Sequence, residues 1–261
     1  MSNLTYYDFN AVSWLWGFFQ SAGVTPNGLA GLFGNLYQES HCCPYELEGW
    51  EYDLTLCWDY TVRNIRTTQT ALQFANQIYG NAGGRQGKGF GLAQWTEQSR
   101  KVNLWNYVQG QPPSGWDGST HNMLGDMERD ANFLLWELQN DPTSTSVSES
   151  FWSAQGHNTW WWLTNPNATV EDCVCAVLLL FEIPFEQWNP PHSQVQTEFD
   201  LRQGYAYDTR EDFSGVEPPP TPPQPPTPPT MNIPAYIFFK LGSRDENFIK
   251  GKVYNYDDDT N

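Results

Sequence analysis

Residues 34–40 are Gly-Asn-Leu-Tyr-Gln-Glu-Ser, and they end an apolar segment with a single carboxylate, Glu39. Thr25 followed by Pro26 is typical of an N-cap and a first helical position. Apolar residues then recur at spacings of three and four, at Leu29, Leu32, Phe33 and Leu36. This pattern predicts a helix from Thr25 to Glu39. It also places Glu39 on the apolar stripe of that helix.

The environment of Glu39 determines whether its carboxyl group can act as an acid. A carboxylate carried into an apolar wall keeps its proton to higher pH, because desolvation penalises the charged form. In known glycosidase sites such burial raises the pKa of a glutamic acid to about 6, which suits a general acid. The helix alone favours a solvated glutamate near a helix end, and a general acid is the alternative.

Two later segments join the first one in a recognisable order. Residues 89–96 are Gly-Phe-Gly-Leu-Ala-Gln-Trp-Thr, with Arg100 just after, and residues 181–184 are Phe-Glu-Ile-Pro. With residues 34–40 they resemble the phage tail lysozyme family, which is related in fold to goose-type lysozymes and soluble lytic transglycosylases. The resemblance implies a mainly α, lysozyme-like α+β fold, with a small sheet or an irregular segment after the catalytic glutamate.

The resemblance also implies roles for individual residues. In the relatives the Glu-Ser pair supplies the catalytic acid, here Glu39, and a Gly-Leu-x-Gln turn lines the glycan cleft. The predicted substrate-binding residues are Tyr60, Thr61, Phe90, Gly91, Gln94 and Trp95. For Trp95 a packing role is an equal alternative. Arg100 and Glu182 are candidates for an ion pair that holds the cleft helix against a later one.

A second catalytic group is harder to assign. Glycoside hydrolysis uses a protonated acid together with a carboxylate nucleophile or base. The acidic segment between Cys42 and Tyr60 offers Glu48, Asp53 and Asp59 as candidates, and the sequence does not choose among them. Goose-type relatives often rely on one indispensable glutamate, and lytic transglycosylases use the 6-hydroxyl of the sugar instead.

The composition restricts the partners. The net charge of −17 leaves no excess of Lys and Arg to displace counterions from nucleic acid. It also argues against simple adsorption to an anionic wall or membrane. The N-terminus lacks the basic region of a secretory signal, and no apolar run approaches the roughly 20 residues that span a bilayer. The resemblance implies a virion tail protein that acts outside the host on its peptidoglycan.

The cysteines and histidines do not form a metal-binding pattern. There are five cysteines and four histidines, but no Cys-x-x-Cys pair, so we expect neither a metal nor another cofactor. A bridge from Cys42 or Cys43 to Cys57 is one hypothesis. Buried free thiols are the other.

The domain organisation follows from a change in composition. Residues 1–213 form the predicted lysozyme-like domain, and residues 214–230 form a Pro-rich, stiff linker. Residues 231–261 are too few to fold alone. They are interpreted as a truncated domain or as a docking strand for other phage tail proteins.

The remaining helices are predicted from apolar spacing and capping residues. The first spans residues 9–22, with Asp8 as its N-cap and Gly23 after its end, and others span residues 67–79, 96–108, 120–139 and 194–207. Thr169 with Asp172 forms a capping box that begins a helix through Phe181. The run Trp160-Trp161-Trp162 is either a sugar-stacking platform or, for at least two of the three rings, core packing.

The sequence thus predicts a phage muramidase that hydrolyses the MurNAc-GlcNAc β-1,4 bond. A lytic transglycosylase, an endolysin and an inactive glycan-binding tail module are the alternatives. A cysteine peptidase using Cys57 and His121 has the right residue order but no supporting local motif.

Overall fold

The computed structural model describes residues 4–6, 8–46, 89–110, 127–140, 148–149, 152–182 and 192–216. All of these lie in one unit, Met1–Pro226. The predicted helix at residues 67–79, the linker from residue 217 onward and the segment 231–261 lie outside the described residues.

The described part of the chain is mainly α-helical, which confirms the predicted fold class. The helices are α1 (Phe9–Ser21), α2 (Pro26–Ser40), α3 (Gln98–Gly110), α4 (Met127–Asn140), α5 (Thr159–Thr164), α6 (Val170–Ala176) and α7 (His192–Phe213). A π-helical segment, Val177–Glu182, continues directly from α6. Two short strands, β1 (Ser148–Glu149) and β2 (Trp152–Ser153), pair antiparallel. Among the helices described, none has the length and apolar character needed to cross a membrane.

Local sequence signals explain where several helices begin. The Asp8 carboxylate accepts hydrogen bonds from the amides of Asn10 and Ala11 in the first turn of α1, and the Thr25 hydroxyl accepts one from Gly28 in α2. Thr169 and Asp172 form the complete capping box of α6. Each cap satisfies amides that have no partner within the helix, so these three predictions are confirmed.

Several helix boundaries differ from the prediction. The Thr96 hydroxyl donates to the carbonyl of Gln94 behind it, and α3 begins only at Gln98. Helix α7 continues to Phe213, six residues beyond the predicted end. The Phe213 ring is fully buried and stacks on Phe9 with 5.0 Å between the ring centroids, which extends the ordered helix.

Helix α2 lies at the centre, and its glycines allow neighbouring helices to pack closely against its backbone. A Cβ atom on Gly31 would stand 2.5 Å from the Cβ of Cys173 in α6, and one on Gly34 would stand 2.5 Å from the carbonyl oxygen of Arg202 in α7. Only glycine permits such close approaches. The end of α2 that carries Glu39 is therefore held tightly along α7.

Aromatic side chains fill much of the core, which accounts for their abundance. The largest fully buried rings are Trp95, Phe19, Phe33, Phe90, Phe133 and Phe213. In the run of three tryptophans, Trp162 is buried and Trp160 packs against the core, so core packing is confirmed for two rings. Trp161 is 38% exposed and stacks on His157 with 3.5 Å between the centroids.

The cysteines that the structure describes are buried, and Cys42, Cys173 and Cys175 are free thiols. Cys43 is buried as well. The hypothesis of a bridge from Cys42 to Cys57 is therefore wrong. Cys57 lies outside the described residues, so a bridge from Cys43 stays a hypothesis. Burial raises the pKa of the Cys173 thiol to about 12, so it has little thiolate character at neutral pH.

Candidate active site

Glu39 lies in the last turn of α2, at the contact with α7. Its Oε1 accepts a hydrogen bond from Nη2 of Arg202, and its side chain remains 21% exposed. The expected apolar wall around Glu39 is therefore wrong. Leu32 and Leu36 on the same stripe are fully buried, but one turn later α7 supplies a guanidinium where an apolar neighbour was expected.

Arg202 connects two carboxylates. Besides Glu39, it donates through Nη1 to Oε2 of Glu198, which lies one turn earlier on α7. The guanidinium is buried, and its Nε has no hydrogen-bond partner among the described residues. A neighbouring positive charge favours the ionised form of a carboxyl group. In this arrangement Glu39 is consequently held as a carboxylate.

Glu182 adds a third carboxyl group at the end of the π-helical segment. Its Oε1 is enclosed by protein and has no hydrogen-bond partner within the described part of the chain. Burial raises the pKa of Glu182 well above its usual value, and the charge of Glu39 raises it further, whereas Arg100 and Arg202 act in the opposite direction. Glu182 therefore keeps its proton at a pH at which an ordinary glutamate has lost it.

Glu39, Glu182, Glu198 and Arg202 form what we call the carboxyl cluster. It draws on three elements: the end of α2, the π-helical segment and α7. A π-helical turn is rare and frequently marks a functional position. Here it ends at a carboxyl group whose pKa burial raises well above its usual value.

A second arginine, Arg100, forms an ion pair near the site. Arg100 of α3 binds Glu137 of α4 in a bidentate pair, with 3.0 Å from Nε to Oε1 and 2.9 Å from Nη2 to Oε2. Its guanidinium carbon also lies 4.5 Å from the ring centroid of Phe181. The predicted ion pair between Arg100 and Glu182 is therefore wrong, because Glu137 occupies the guanidinium. Arg100 affects Glu182 through its charge alone.

Sequence analysis missed Glu137 as a site residue. Glu137 could have been recognised because it is the one charged residue in the apolar run Phe-Leu-Leu-Trp-Glu-Leu at residues 133–138. A charge in the middle of such a run is costly to bury unless it is paired. Its partners, Trp95 and Arg100, lie about forty residues earlier.

Trp95 fixes the position of the Gly89–Thr96 turn. The Trp95 indole Nε1 donates to Glu137 Oε2 at 2.6 Å, and the ring is fully buried against Phe133. The Phe90 ring is fully buried as well. Neither ring can reach a glycan in this conformation, so for these two residues the predicted substrate contact is replaced by a packing role.

Ser40 joins the first two sequence motifs. Its hydroxyl is buried and lies 2.8 Å from the carbonyl oxygen of Leu92, to which it donates. It is also 3.2 Å from the carbonyl oxygen of Leu36 in its own helix. The end of α2 is thereby attached directly to the Gly89–Thr96 turn, with Glu39 beside the attachment.

The side chain of Gln94 also stabilises the Gly89–Thr96 turn through hydrogen bonds. It adopts a left-handed backbone conformation with φ of 42°, and its side-chain Nε2 donates to the carbonyl oxygens of Glu46 and Gly91 at 3.2 and 3.1 Å. The residue is 9% exposed, and its Oε1 has no hydrogen-bond partner in the described region. Gly91 is buried as well and donates its amide to Glu46. The amide nitrogen of Gln94 thus serves the fold.

The other predicted site residues lie outside the described part of the chain. They are Glu48, Asp53, Asp59, Tyr60 and Thr61. Within the acidic segment the described carboxylate is Glu46, whose Oε2 lies 3.6 Å from Nδ1 of His41. It is buried, and its carbonyl oxygen receives the amides of the turn, so its observed contacts are structural.

The described geometry can support proton transfer. Two neighbouring carboxyl groups with different environments are the usual sign of an acid and base assignment. Glu39 is partly exposed and held ionised, whereas Glu182 is enclosed and holds a proton.

Comparison with known proteins gives the family. None of the curated proteins compared with the chain matches it significantly. Residues 11–209 match the family described as phage tail lysozyme, and this range contains all three sequence motifs and the whole carboxyl cluster. The chain therefore belongs to the phage tail lysozyme family, whose lysozyme-like, glycosidase-type enzymes degrade bacterial peptidoglycan.

Proposed function

We propose that the protein is a muramidase, which hydrolyses the β-1,4 bond between N-acetylmuramic acid and N-acetylglucosamine, and that Glu39 is its general acid. The observation that carries this proposal is the position of Glu39. It is a partly exposed carboxylate at the end of the central helix, beside a second carboxyl group that retains a proton.

In the proposed reaction the protonated form of Glu39 gives its proton to the glycosidic oxygen while the bond from that oxygen to the anomeric carbon breaks. General acid catalysis of this kind contributes roughly 10² to 10⁴ to the rate. Water then adds to the sugar, with a carboxylate base or nucleophile on the other face. Glu48, Asp53 and Asp59 remain the candidates for that second group. Tyr60, Thr61, Gly91 and Gln94 remain the proposed contacts to the glycan.

The proposed setting is the phage virion tail, where local cleavage of the host wall opens a path for the genome. Family membership supports a tail origin. The net charge of −17 supports recognition by shape within the cleft, since the chain has no general attraction to an anionic wall. We propose further that residues 1–213 are the catalytic domain, that residues 214–230 are a linker, and that residues 231–261 dock to another tail protein.

Analysis of the products tests the reaction type. Purified peptidoglycan is digested with the protein, and the fragments are examined by mass spectrometry. A muramidase leaves reducing N-acetylmuramic acid ends, and this is the expected result. Anhydro ends identify a lytic transglycosylase instead. If the glycan is bound but stays intact, the protein is a wall-binding tail module and the proposed activity is wrong.

A further inference from the structure

We propose that the exposed face of Trp161 is a second glycan-binding site, at which the indole stacks on a pyranose ring of a peptidoglycan strand. The site lies on α5, outside the carboxyl cluster, and it holds the strand without taking part in its cleavage. The inference goes beyond the proposed reaction, because it uses peptidoglycan as the ligand but assigns no role to Glu39.

The first observation is that neighbouring rings cover one face of Trp161 and leave the other. The imidazole of His157 lies parallel to the indole within 5°, with 3.5 Å between the centroids, so it covers one face. Trp162 is perpendicular to both rings, at 4.8 Å from Trp161 and 6.1 Å from His157. The three centroid distances form nearly a right angle at Trp161. Trp162 therefore lies at the edge of the indole, and the face opposite His157 accounts for the 38% exposure of Trp161.

The local backbone holds these two rings, which we call the Trp161 platform, in place. The turn before them contains Gly156 with φ of 81°, and the His157 amide donates to the carbonyl oxygen of Ala154 at 2.8 Å. The side chain of Asn158 caps α5 by accepting the amide of Trp161 at 2.9 Å. Because the platform is formed before a ligand arrives, binding loses little conformational entropy there.

An exposed indole face suits a sugar. The face of an aromatic ring carries partial negative charge, which attracts the C–H groups that a pyranose ring presents on one side. Stacking also removes the apolar surface of both rings from water, while the hydroxyls at the rim of the sugar stay hydrated. An N-acetylglucosamine ring carries no charge, so the net charge of −17 does not oppose this contact.

The size of the exposed surface favours a sugar over a protein partner. Specific protein interfaces bury about 800 Å² on each side. Within α5, which is described throughout, Trp161 is the one exposed residue. The other exposed large apolar side chains of the described region lie on α1 and α7, and they are Phe9, Leu201 and Tyr207. A single ring on α5 matches one sugar unit.

The Trp161 platform and Glu39 belong to opposite ends of the central helix. The carbonyl oxygen of Leu163, two residues after Trp161, accepts the amide of Thr25 at 3.0 Å, immediately before α2 begins. Glu39 lies in the last turn of α2, which is about 20 Å further along the helix axis. A strand bound at α5 is therefore held outside the carboxyl cluster. Such binding keeps the enzyme close to its polymeric substrate.

Binding to insoluble peptidoglycan tests the platform. Peptidoglycan freed of attached polymers is sedimented with the protein in the cold, and the bound fraction gives the Kd. Trp161→Ala should raise the Kd about five- to tenfold, because the stacking face is lost. Trp161→Phe keeps a flat ring and should lose less. Tyr207→Ala is the matched control, since it removes another exposed aromatic ring, 47% exposed on α7, and it should bind as the wild type does.

Cleavage kinetics separate a second site from a part of the catalytic cleft. On intact peptidoglycan Trp161→Ala should raise KM by a similar factor and leave kcat unchanged. On a soluble peptidoglycan tetrasaccharide, which is too short to span from Glu39 to the platform, the variant should match the wild type. Equal losses on both substrates would mean that Trp161 acts through the fold or the cleft, and they would overturn the inference.

An NMR titration of the wild type keeps the test decisive if Trp161→Ala does not fold. In ¹⁵N-labelled protein the indole N–H signal of Trp161, identified by its absence from Trp161→Phe, should shift when a tetramer of N-acetylglucosamine is added. An unmoved signal, or a folded Trp161→Ala that binds peptidoglycan as tightly as the wild type, overturns the inference. Peptidoglycan that is bound through Trp161 but left uncleaved overturns the proposed function alone, so the two failures are distinguishable.

Discussion

At the scale of single residues, Glu39 and Ser40 are neighbours with opposite surroundings. The Ser40 hydroxyl is buried and binds the carbonyl oxygen of Leu92, whereas the Glu39 carboxylate is partly exposed and faces Arg202. The serine thus fixes the end of α2 against the Gly89–Thr96 turn. The glutamate beside it faces solvent and the guanidinium of Arg202.

Ser40→Ala tests that attachment. It removes the hydroxyl that donates to Leu92 and leaves a buried carbonyl without that donor, so we expect the free energy of unfolding to fall by about 1–2 kcal/mol. Ser21→Ala is the control, because its hydroxyl donates only to the carbonyl of Gly17 within its own helix. Urea denaturation measures both. Equal small losses for the two variants would show that Ser40 does not join the motifs.

Glu137→Leu tests the second arginine site. The substitution leaves Arg100 and the Trp95 indole without the carboxylate they share, and the pair is largely withdrawn from solvent. We expect a loss of about 2–3 kcal/mol in chemical denaturation. Adding Arg100→Met should restore part of that loss, because no unpaired charge then remains. A single variant as stable as the wild type would contradict this account.

The site was only partly predictable at this scale. The position of Glu39 at a helix end follows from local periodicity. Its partner Arg202 lies 163 residues later in the chain, and no local pattern connects the two. The same holds for Glu137, which meets Trp95 across 42 residues. Local sequence predicts where a group sits on its helix, but the charges that surround it depend on packing.

At the scale of elements, the contact between α2 and α7 decides whether Glu39 reaches Arg202. Gly34 makes that contact possible, because its missing side chain leaves room for the Arg202 backbone and for Ala206. The interface is therefore sensitive to a single methyl group.

Gly34→Ala should destabilise the protein although alanine is the better helix former. The new Cβ would lie 2.5 Å from the Arg202 carbonyl oxygen and 2.8 Å from Ala206, so α7 has to shift away. We expect a net loss of about 1–3 kcal/mol, together with weaker glycan cleavage. Gly204→Ala is the matched control on α7, since nothing lies within 4 Å of its new methyl group. It should gain about 0.5–1 kcal/mol. Thermal unfolding of both should give shifts of opposite sign, and two shifts of the same sign would refute the packing argument.

Element boundaries were predictable where local chemistry fixes them. The caps Asp8, Thr25 and Thr169 bind amides within their own first turns, so the sequence is sufficient to place them. The end of α7 depends on the burial of Phe213 against α1, which is a tertiary contact. The sequence did not predict the π-helical segment after α6, which has a different period from the predicted helix. Its apolar residues are buried all round, so their spacing does not distinguish a π-helix from an α-helix.

At the scale of the whole molecule, the enclosed Glu182 makes stability depend on pH. Its folded-state pKa lies above the ordinary value of 4.5, so the folded protein binds this proton more tightly than the unfolded chain does. Its contribution to stability is complete below about pH 4.5 and is lost as the pH rises toward the raised folded-state pKa. Each unit of such a shift corresponds to about 1.4 kcal/mol.

Glu182→Gln should remove this pH dependence. The stability of the variant relative to the wild type should improve between pH 4 and pH 7, because glutamine carries no ionisable group. Urea denaturation at several pH values measures the difference. The repulsion that arises from the net charge of −17 is nearly common to both proteins, so the difference isolates the one carboxyl group. A difference that stays constant with pH would contradict a raised pKa.

The most direct test of the account is the rate of glycan cleavage by Glu39→Gln, followed through the reducing ends released from purified peptidoglycan. The substitution removes the proton donor with little change in shape, so we predict a loss of about 10² to 10⁴ in rate with the circular dichroism spectrum and the binding of peptidoglycan retained. Arg210→Gln, assayed beside it, should keep the wild-type rate, because Arg210 lies two turns after Arg202 on α7 and binds Asn27 of α2. A folded Glu39→Gln variant that cleaves the glycan as fast as the wild type would show that Glu39 is not the acid.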